Sequence, residues 1–269
     1  MSVLIDAIGA QHVPVARCDD GTLDCRIVSL VPSLTELLCD LGLTSSLVGR
    51  TGFCIHPEQQ LALIPKIGGT KDVNIEKIRK LAPTHLIVNI DENEKPTVDA
   101  LEEFIPHIIV THPNTPLDNV ALYRLFGAVF HAQEKAEKLC SDFQHAYDAL
   151  QTQRKNKPQR VLYCIWKDPW MTVARDTYIA NMLALIDWQQ WECEDSTQRY
   201  PQFSWTAQLV EDIDLILLSS EPYRFTEAHC EALEKQSGKP VQLLDGEMLS
   251  WYGSRAIAGL RYLHHLQAE

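Results

Sequence analysis

Neither G-x-G-x-x-G nor G-x-x-x-x-G-K-[ST] occurs in this chain, and the pattern G-x-S-x-G is absent as well. The strongest sequence signals for nucleotide-phosphate binding and for serine-nucleophile hydrolysis are therefore missing. No apolar run approaches the roughly 18 residues that a membrane-spanning helix needs, so membrane insertion is not expected. Basic residues are scarce. Lys plus Arg number 24 against 36 Asp plus Glu, a net charge of −12. That balance excludes a nucleic-acid binder that tracks phosphates and argues against an anionic membrane surface as partner. The eight cysteines (Cys18, Cys25, Cys39, Cys54, Cys140, Cys164, Cys193 and Cys230) form no C-x-x-C pair. At such scattered spacing they read as buried thiols rather than a disulfide framework. The opening MSVLIDAIGAQHVPVARCDD has no basic region before its apolar stretch, and Asp6 interrupts that stretch. It does not read as a secretory signal, and together with the thiols it predicts a cytoplasmic protein.

What is present is alternation. Residues 1–25 read as a short edge hairpin closed at Asp19-Asp20-Gly21. RIVSL at 26–30 is a buried-strand signal, and LTELLCDLGL is a helix stopped at Gly42. LVG at 47–49 is a second strand. Asn74 caps a helix that Pro83 ends, HLIVNI is a strand, PTVDALEEF a helix and HIIVTH a strand. Such alternation predicts an α/β fold with a mainly parallel sheet. From Leu117 to about Gln153 the pattern changes to an unbroken apolar stripe without proline. This predicts one continuous helix over 121–153, about 50 Å long at 1.5 Å per residue. Beyond it, RVLYCIW, TYIANMLALI, LILLS, TEAHCEALEKQ, VQLLD and GSRAIAGLRYLHHL restart the α/β alternation, and Ser204 reads as the cap of SWTAQLVED.

The two halves resemble each other. NIEKIRKLAPTHLIVNIDEN at 74–93 matches SWTAQLVEDIDLILLSSEPY at 204–223 with a constant offset of 130 residues. The expected organisation is an N-terminal α/β lobe over 1–116, a connecting helix over 117–157 and a C-terminal α/β lobe over 158–269.

RIVSLVPSLTELLCDLGL, LVGRTGFCIHP, IPKIGGTKDVNIEKIRKLAPTHLIV, the long helical stretch and WKDPWM together resemble a known group over about residues 26–266. The chain is similar to the helical-backbone metal receptors, periplasmic-binding-protein-like molecules of two Rossmann-like lobes joined by one long helix. Within them it looks like the cobalamin-binding proteins of ABC importers. The resemblance implies non-catalytic binding of a small ligand, a corrinoid or another metal chelate, in a cleft between the lobes. It also implies an acidic residue on each lobe for docking on a permease. Glu76 fits the first position, whereas Thr206 stands 130 residues on. With one of two charged anchors missing, docking is expected to be doubtful.

In parallel α/β sheets, ligands sit beyond the carboxyl ends of strands. The exits here offer Ser33 after the first strand, and Arg50, Cys54 and His56 after the second. Asp91, Glu92 and Asn93 follow the HLIVNI strand, and His112 follows the next. The second half offers Trp166, Trp170, Met171 and Arg175, then Glu221 and Tyr223, with Trp251 and Tyr252 as further candidates. Trp walls suit the apolar face of a corrin, and Asp, Asn and Arg suit its amide fringe. The alternative is direct metal binding, or metal-dependent hydrolysis, by Cys54, His56, Glu92 and His112, whose side chains are of the types zinc takes. Cys54 reads equally well as a small buried thiol, and the tryptophans as hydrophobic core. No resident cofactor is expected, and the corrinoid signature D-x-H-x-x-G is absent.

Overall fold

A computed structural model describes residues 4–152, 157–193 and 196–267. The chain forms two α/β units. The first comprises residues 1–113, 117–143 and 252–255, and the second 114–116, 144–251 and 256–269.

The first unit opens with a hairpin of β1 (Leu4–Ile5) and β2 (Gln11–His12). Then come β3 (Ile27–Ser29), α1 (Pro32–Asp40), β4 (Leu47–Arg50), α2 (Glu58–Leu61), α3 (Ile75–Lys80), β5 (His85–Asn89), α4 (Lys95–Glu102) and β6 (His107–Thr111). The order β4-β3-β5-β6 is parallel throughout. Each strand is a short, nearly unbroken apolar run because helices cover both faces of such a sheet. Val28, Leu30, Leu86 and Val88 pack with Ile78 and Leu101 from the helices as one buried cluster. The predicted helix punctuation holds at Gly42, where φ is 82° just after α1, and at Asn74, whose side chain accepts from the Lys77 backbone N–H, while α1 begins at Pro32, two residues before the expected start.

The opening hairpin is placed differently from the sequence expectation. It closes over Asp6–Ala10, because the Asp6 carboxylate accepts from the backbone N–H groups of Ile8 and Ala10. Around Asp19–Gly21 there is a separate small turn, marked by a bridge between Arg17 and Leu23.

The connecting segment also differs. The apolar stripe predicts one helix, but the chain forms α5 (Asp118–Val129) and α6 (Gln133–Thr152). The break is a helix stop in which His131 adopts the left-handed conformation, φ 53°, and the Ala132 N–H bonds back to the Gly127 carbonyl at 2.8 Å. The chain then doubles back. Arg124 meets Glu137, Tyr123 meets Phe143, and a Cβ on Gly127 would lie 2.5 Å from that of Ala136, so only glycine admits the close approach of α5 to α6. Among the described residues, α6, 20 residues and about 30 Å long, is the long helix that begins in the first unit and ends in the second.

The second unit holds β7 (Gln159–Trp166), β8 (Met171–Thr172), α7 (Tyr178–Ala184), β9 (Trp188–Gln190), α8 (Ala207–Asp212), β10 (Leu215–Ser219), α9 (Glu227–Ser237), β11 (Val241–Leu244), α10 (Gly246–Ser250) and α11 (Ala256–Leu266). Its parallel order is β9-β7-β10-β11, with β8 antiparallel on the end of β7. In chain order this repeats the first unit: the first strand is flanked by the second and the third, and the fourth lies outside the third. The internal repeat is thus a repeat of sheet topology. Its helix caps are not at the expected offset. Thr206, not Ser204, caps α8, its hydroxyl accepting from Leu209 N–H at 3.1 Å. The chain stays extended through Trp205, which belongs to an aromatic cluster. Among the described residues no helix is long and apolar enough to cross a membrane.

Candidate functional site

In the first unit, the loop after β4 is fixed from within. Arg50 is buried and gives its guanidinium to main-chain carbonyls, those of Leu61 (3.1 and 3.2 Å), Cys54 (2.8 Å) and Thr51 (3.3 Å). Arg50 therefore latches the loop 51–61 onto the sheet. Cys54 is fully buried, its sulfur 3.1 Å from both the Thr35 and the Thr51 hydroxyls. Burial pushes its thiol pKa up, with those two hydroxyls opposing. The thiol is neutral and faces inward, as the buried-thiol reading has it. The residues on either side consequently face out. Phe53 is 63% and Ile55 49% exposed. His56 is half-buried on the same loop.

The loop after β5 is an interlocked turn. Asn89 N–H donates to the Asn93 side chain, Asp91 N–H donates to the Asn89 side chain, and the Asn93 amide donates to the Thr70 carbonyl at 3.0 Å. Asn93 is thus buried as a brace. Asp91 and Glu92 stay half-buried at the surface, and Ile90 is 46% exposed. Asp91 lies 3.5 Å from His112, at the exit of β6, and Glu92 accepts a hydrogen bond from the Tyr252 hydroxyl. Tyr252 belongs to the segment 252–255, which is held to the first unit by an ion pair of Arg255 with Glu36 and a Tyr123–Gly253 hydrogen bond. Ser33 is buried at the start of α1, and its hydroxyl has no hydrogen-bond partner among the described residues.

In the second unit the aromatics divide. Trp170 stacks on Phe225 at 5.8 Å and meets Trp205 edge-on at 5.5 Å, so it is a wall of the core. Trp166, at the end of β7, touches Tyr223 edge-on at 5.6 Å and remains 39% exposed. Met171 is half-buried. Arg175 is engaged by the Gln190 carbonyl and by Glu192. Glu221 accepts from Ser250 and from the Trp251 indole N–H, which leaves Trp251 buried. Burial raises the pKa of Glu221, against the pull of those two donors.

The strand ends of the two units thus expose Phe53, Ile55, Ile90 and Trp166, with Asp91, Glu92, His112 and Tyr252 beside those of the first unit. Scattered exposed apolar residues need no explanation, but several on loops at one end of a sheet mark a contact surface. Phe53, Ile55 and Ile90 were not singled out from sequence. The signal was their position next to Cys54 and Asp91, in loops whose other residues face inward. The metal alternative fails on geometry. Among the described residues no three or more His, Cys, Asp or Glu side chains gather as a metal site, and Cys54 is turned away from the surface.

The docking comparison also changes. With Asn74 and Thr206 as the corresponding caps, the position matching Glu76, second in α3, is Gln208 in α8, not Thr206. Glu76 is exposed, 3.9 Å from Arg79.

Comparison with known proteins places this geometry. A family model described as "Periplasmic binding protein" matches residues 27–250. A vitamin B12-binding protein of Vibrio cholerae serotype O1 is 29% identical over 198 residues, 72% of this chain and 70% of its own length. The crystal structure of the periplasmic vitamin B12 binding protein BtuF of Vibrio cholerae superposes with a TM-score of 0.75 at 23% identity, covering 90% of this chain and 96% of that one. The periplasmic heme-binding protein RhuT of Roseiflexus sp. also gives a TM-score of 0.75, at 19% identity, covering 90% and 97%. These matches overturn the cytoplasmic expectation: the family and both solved structures are periplasmic, which points to an extracytoplasmic location. They also leave the doubt about permease docking unsupported, since that doubt rested on Thr206 and the family is one of substrate-binding proteins. With its two α/β units, its repeated sheet order and a match over most of its length, this chain belongs to the periplasmic binding protein family, whose members bind small ligands and are not enzymes.

Proposed function

We propose that the protein binds a corrinoid of the cobalamin type, held by strand-end loops, and delivers it to a membrane permease as the binding component of an importer. The observation that carries this reading is the set of exposed apolar side chains at the strand exits, Phe53, Ile55, Ile90 and Trp166. A corrin presents broad apolar faces and an amide fringe. Phe, Ile and Trp suit the faces, while Asp91, Glu92 and Tyr252 suit hydrogen bonding at the fringe. The 29% identity to a vitamin B12-binding protein supports the same ligand class. Arg50, Cys54, Asn93, Trp170, Arg175, Glu221 and Trp251 then act as supports beneath the contact surface, with Ser33, His56, Met171 and Tyr223 at its margins.

Haem is the second reading, favoured by His112. An imidazole held against a carboxylate, here Asp91 at 3.5 Å, has the support expected of an axial ligand to iron. Parallel titrations with cyanocobalamin and haemin separate the two. One-to-one binding of cyanocobalamin, stabilising the protein by about 2.7 kcal/mol at a hundred times its Kd, is the expected result. Haemin binding with a His112-dependent shift of its absorption, and no cyanocobalamin binding, would replace the corrinoid by haem.

A further inference from the structure

Beside the loop after β5, whose Asn89, Ile90 and Asn93 line part of it, the first unit contains a cavity of about 580 Å³, within the range of roughly 300–1,000 Å³ typical of small-molecule sites. Its floor is the β6 edge of the sheet, Ile108 and Val110, and Val98 of α4 forms one wall. The opposite wall is the opening hairpin, through Ile8, Ala10 and Gln11. α4 is only eight residues long, so it covers the outer strand incompletely, and Ile108 and Val110 remain partly exposed.

A hairpin that merely covered this edge would collapse onto Ile108 and Val110, since interiors tolerate few voids larger than a water molecule. It is anchored instead at one point of the edge, Val110, by a polar lock. The buried Asp6 carboxylate accepts from the N–H groups of Ile8, Ala10 and Val110 at 3.1, 2.9 and 3.0 Å. It also lies 3.1 Å from His12 Nε2, and the Ala7 N–H donates to the Val110 carbonyl. The wall is thereby fixed by five contacts, and the apolar floor stays open. Residues 4–12 lie outside the 27–250 span matched by the family model.

The mouth sets the charge of the occupant. On α4, Lys95 is neutralised by Asp99 at 2.6 and 2.8 Å, whereas Glu102 has no basic partner among the described residues. An apolar floor beneath an uncompensated carboxylate fits an apolar body with a cationic head. We infer that the groove between the hairpin and α4 is a second binding site, for an amphiphilic amine, adjoining the proposed corrinoid surface at Ile90.

The probe is decyltrimethylammonium below its micellar concentration, titrated into the full chain and followed by calorimetry and amide chemical shifts, with decanoate as the anionic comparison. Saturable one-to-one binding is expected, with shifts centred on Ile8–His12, α4 and β6, and with decanoate weaker. Ala10→Trp fills the groove and is expected to lower affinity at least tenfold. Glu102→Gln, on an exposed face and unable to disturb folding, is expected to lower it about two- to fivefold, the range of a half-exposed charge contact. The inference is overturned by absent saturable binding, by equal decanoate binding, by a folded Ala10→Trp variant that binds normally, or by an unaffected Glu102→Gln variant.

Discussion

Replacing Trp166 by alanine tests the contact surface at its largest single side chain. Tryptophan buries roughly 150–250 Å² when fully covered. With 39% of Trp166 exposed, about 60–100 Å² is left for a ligand to cover. At about 25 cal/mol per Å² that area is worth ~1.5–2.5 kcal/mol, or roughly tenfold to sixtyfold in Kd. The same substitution also removes the roughly 90–150 Å² already buried, worth ~2–4 kcal/mol, and the edge-on contact with Tyr223, worth about 0.5–1.5 kcal/mol more. The variant is therefore expected to melt roughly 6–20 °C lower, and titrations are run well below that transition. Titration calorimetry with cyanocobalamin reads the affinity, and circular dichroism confirms the fold. A folded Trp166→Ala protein whose Kd matches wild type within twofold refutes the assignment of Trp166 to the ligand wall.

Arg50→Met removes a buried guanidinium and strands the Leu61 and Cys54 carbonyls; a loss of about 3 kcal/mol is expected, seen as a melting point lower by roughly 6–12 °C. Cys54 is expected to resist iodoacetamide at pH 8 in the native protein while the exposed Cys18 reacts; rapid native labelling of Cys54 contradicts its inward placement. Glu221 has a folded pKa above its unfolded value, so the folded state binds the extra proton between the two. Its stabilising contribution is full below the unfolded pKa and is lost as pH rises through the folded one. Glu221→Gln, which keeps an acceptor for Ser250 and Trp251, should gain stability relative to wild type at pH 7 and show no gain near pH 4. A pH-independent difference between the two proteins counts against the shift.

The α/β alternation was legible because both strands and helices announce themselves locally. RIVSL and RVLYC are short apolar runs that suit a sheet covered on both faces, and the repeat pointed to two similar units, but the order of strands within each sheet was not read from the sequence. The stop between α5 and α6 was not legible. The usual sign is glycine in the left-handed position, and here His131 takes it while the apolar stripe continues across the break. The cap of α8 was misplaced by two residues because Ser204 is as good a capping residue as Thr206, and the choice is made by Trp205, held in place by Trp170 and Phe203. At the proposed site, the strand-end rule pointed to these loops but not to the side chains they expose. An irregular loop has no period to say which residues face inward, so Cys54 drew notice instead of Phe53 and Ile55. Likewise nothing local separates Trp166 from Trp170. One is packed by Phe225, far along the chain, and the other is not.

A crystal structure of the protein with cyanocobalamin tests the central claim most directly. The corrin is expected to lie against the exposed strand-end side chains Phe53, Ile55, Ile90 and Trp166, with its amides near Asp91, Glu92 and Tyr252. A corrinoid bound elsewhere, with those four apolar side chains still open to solvent, would contradict the account.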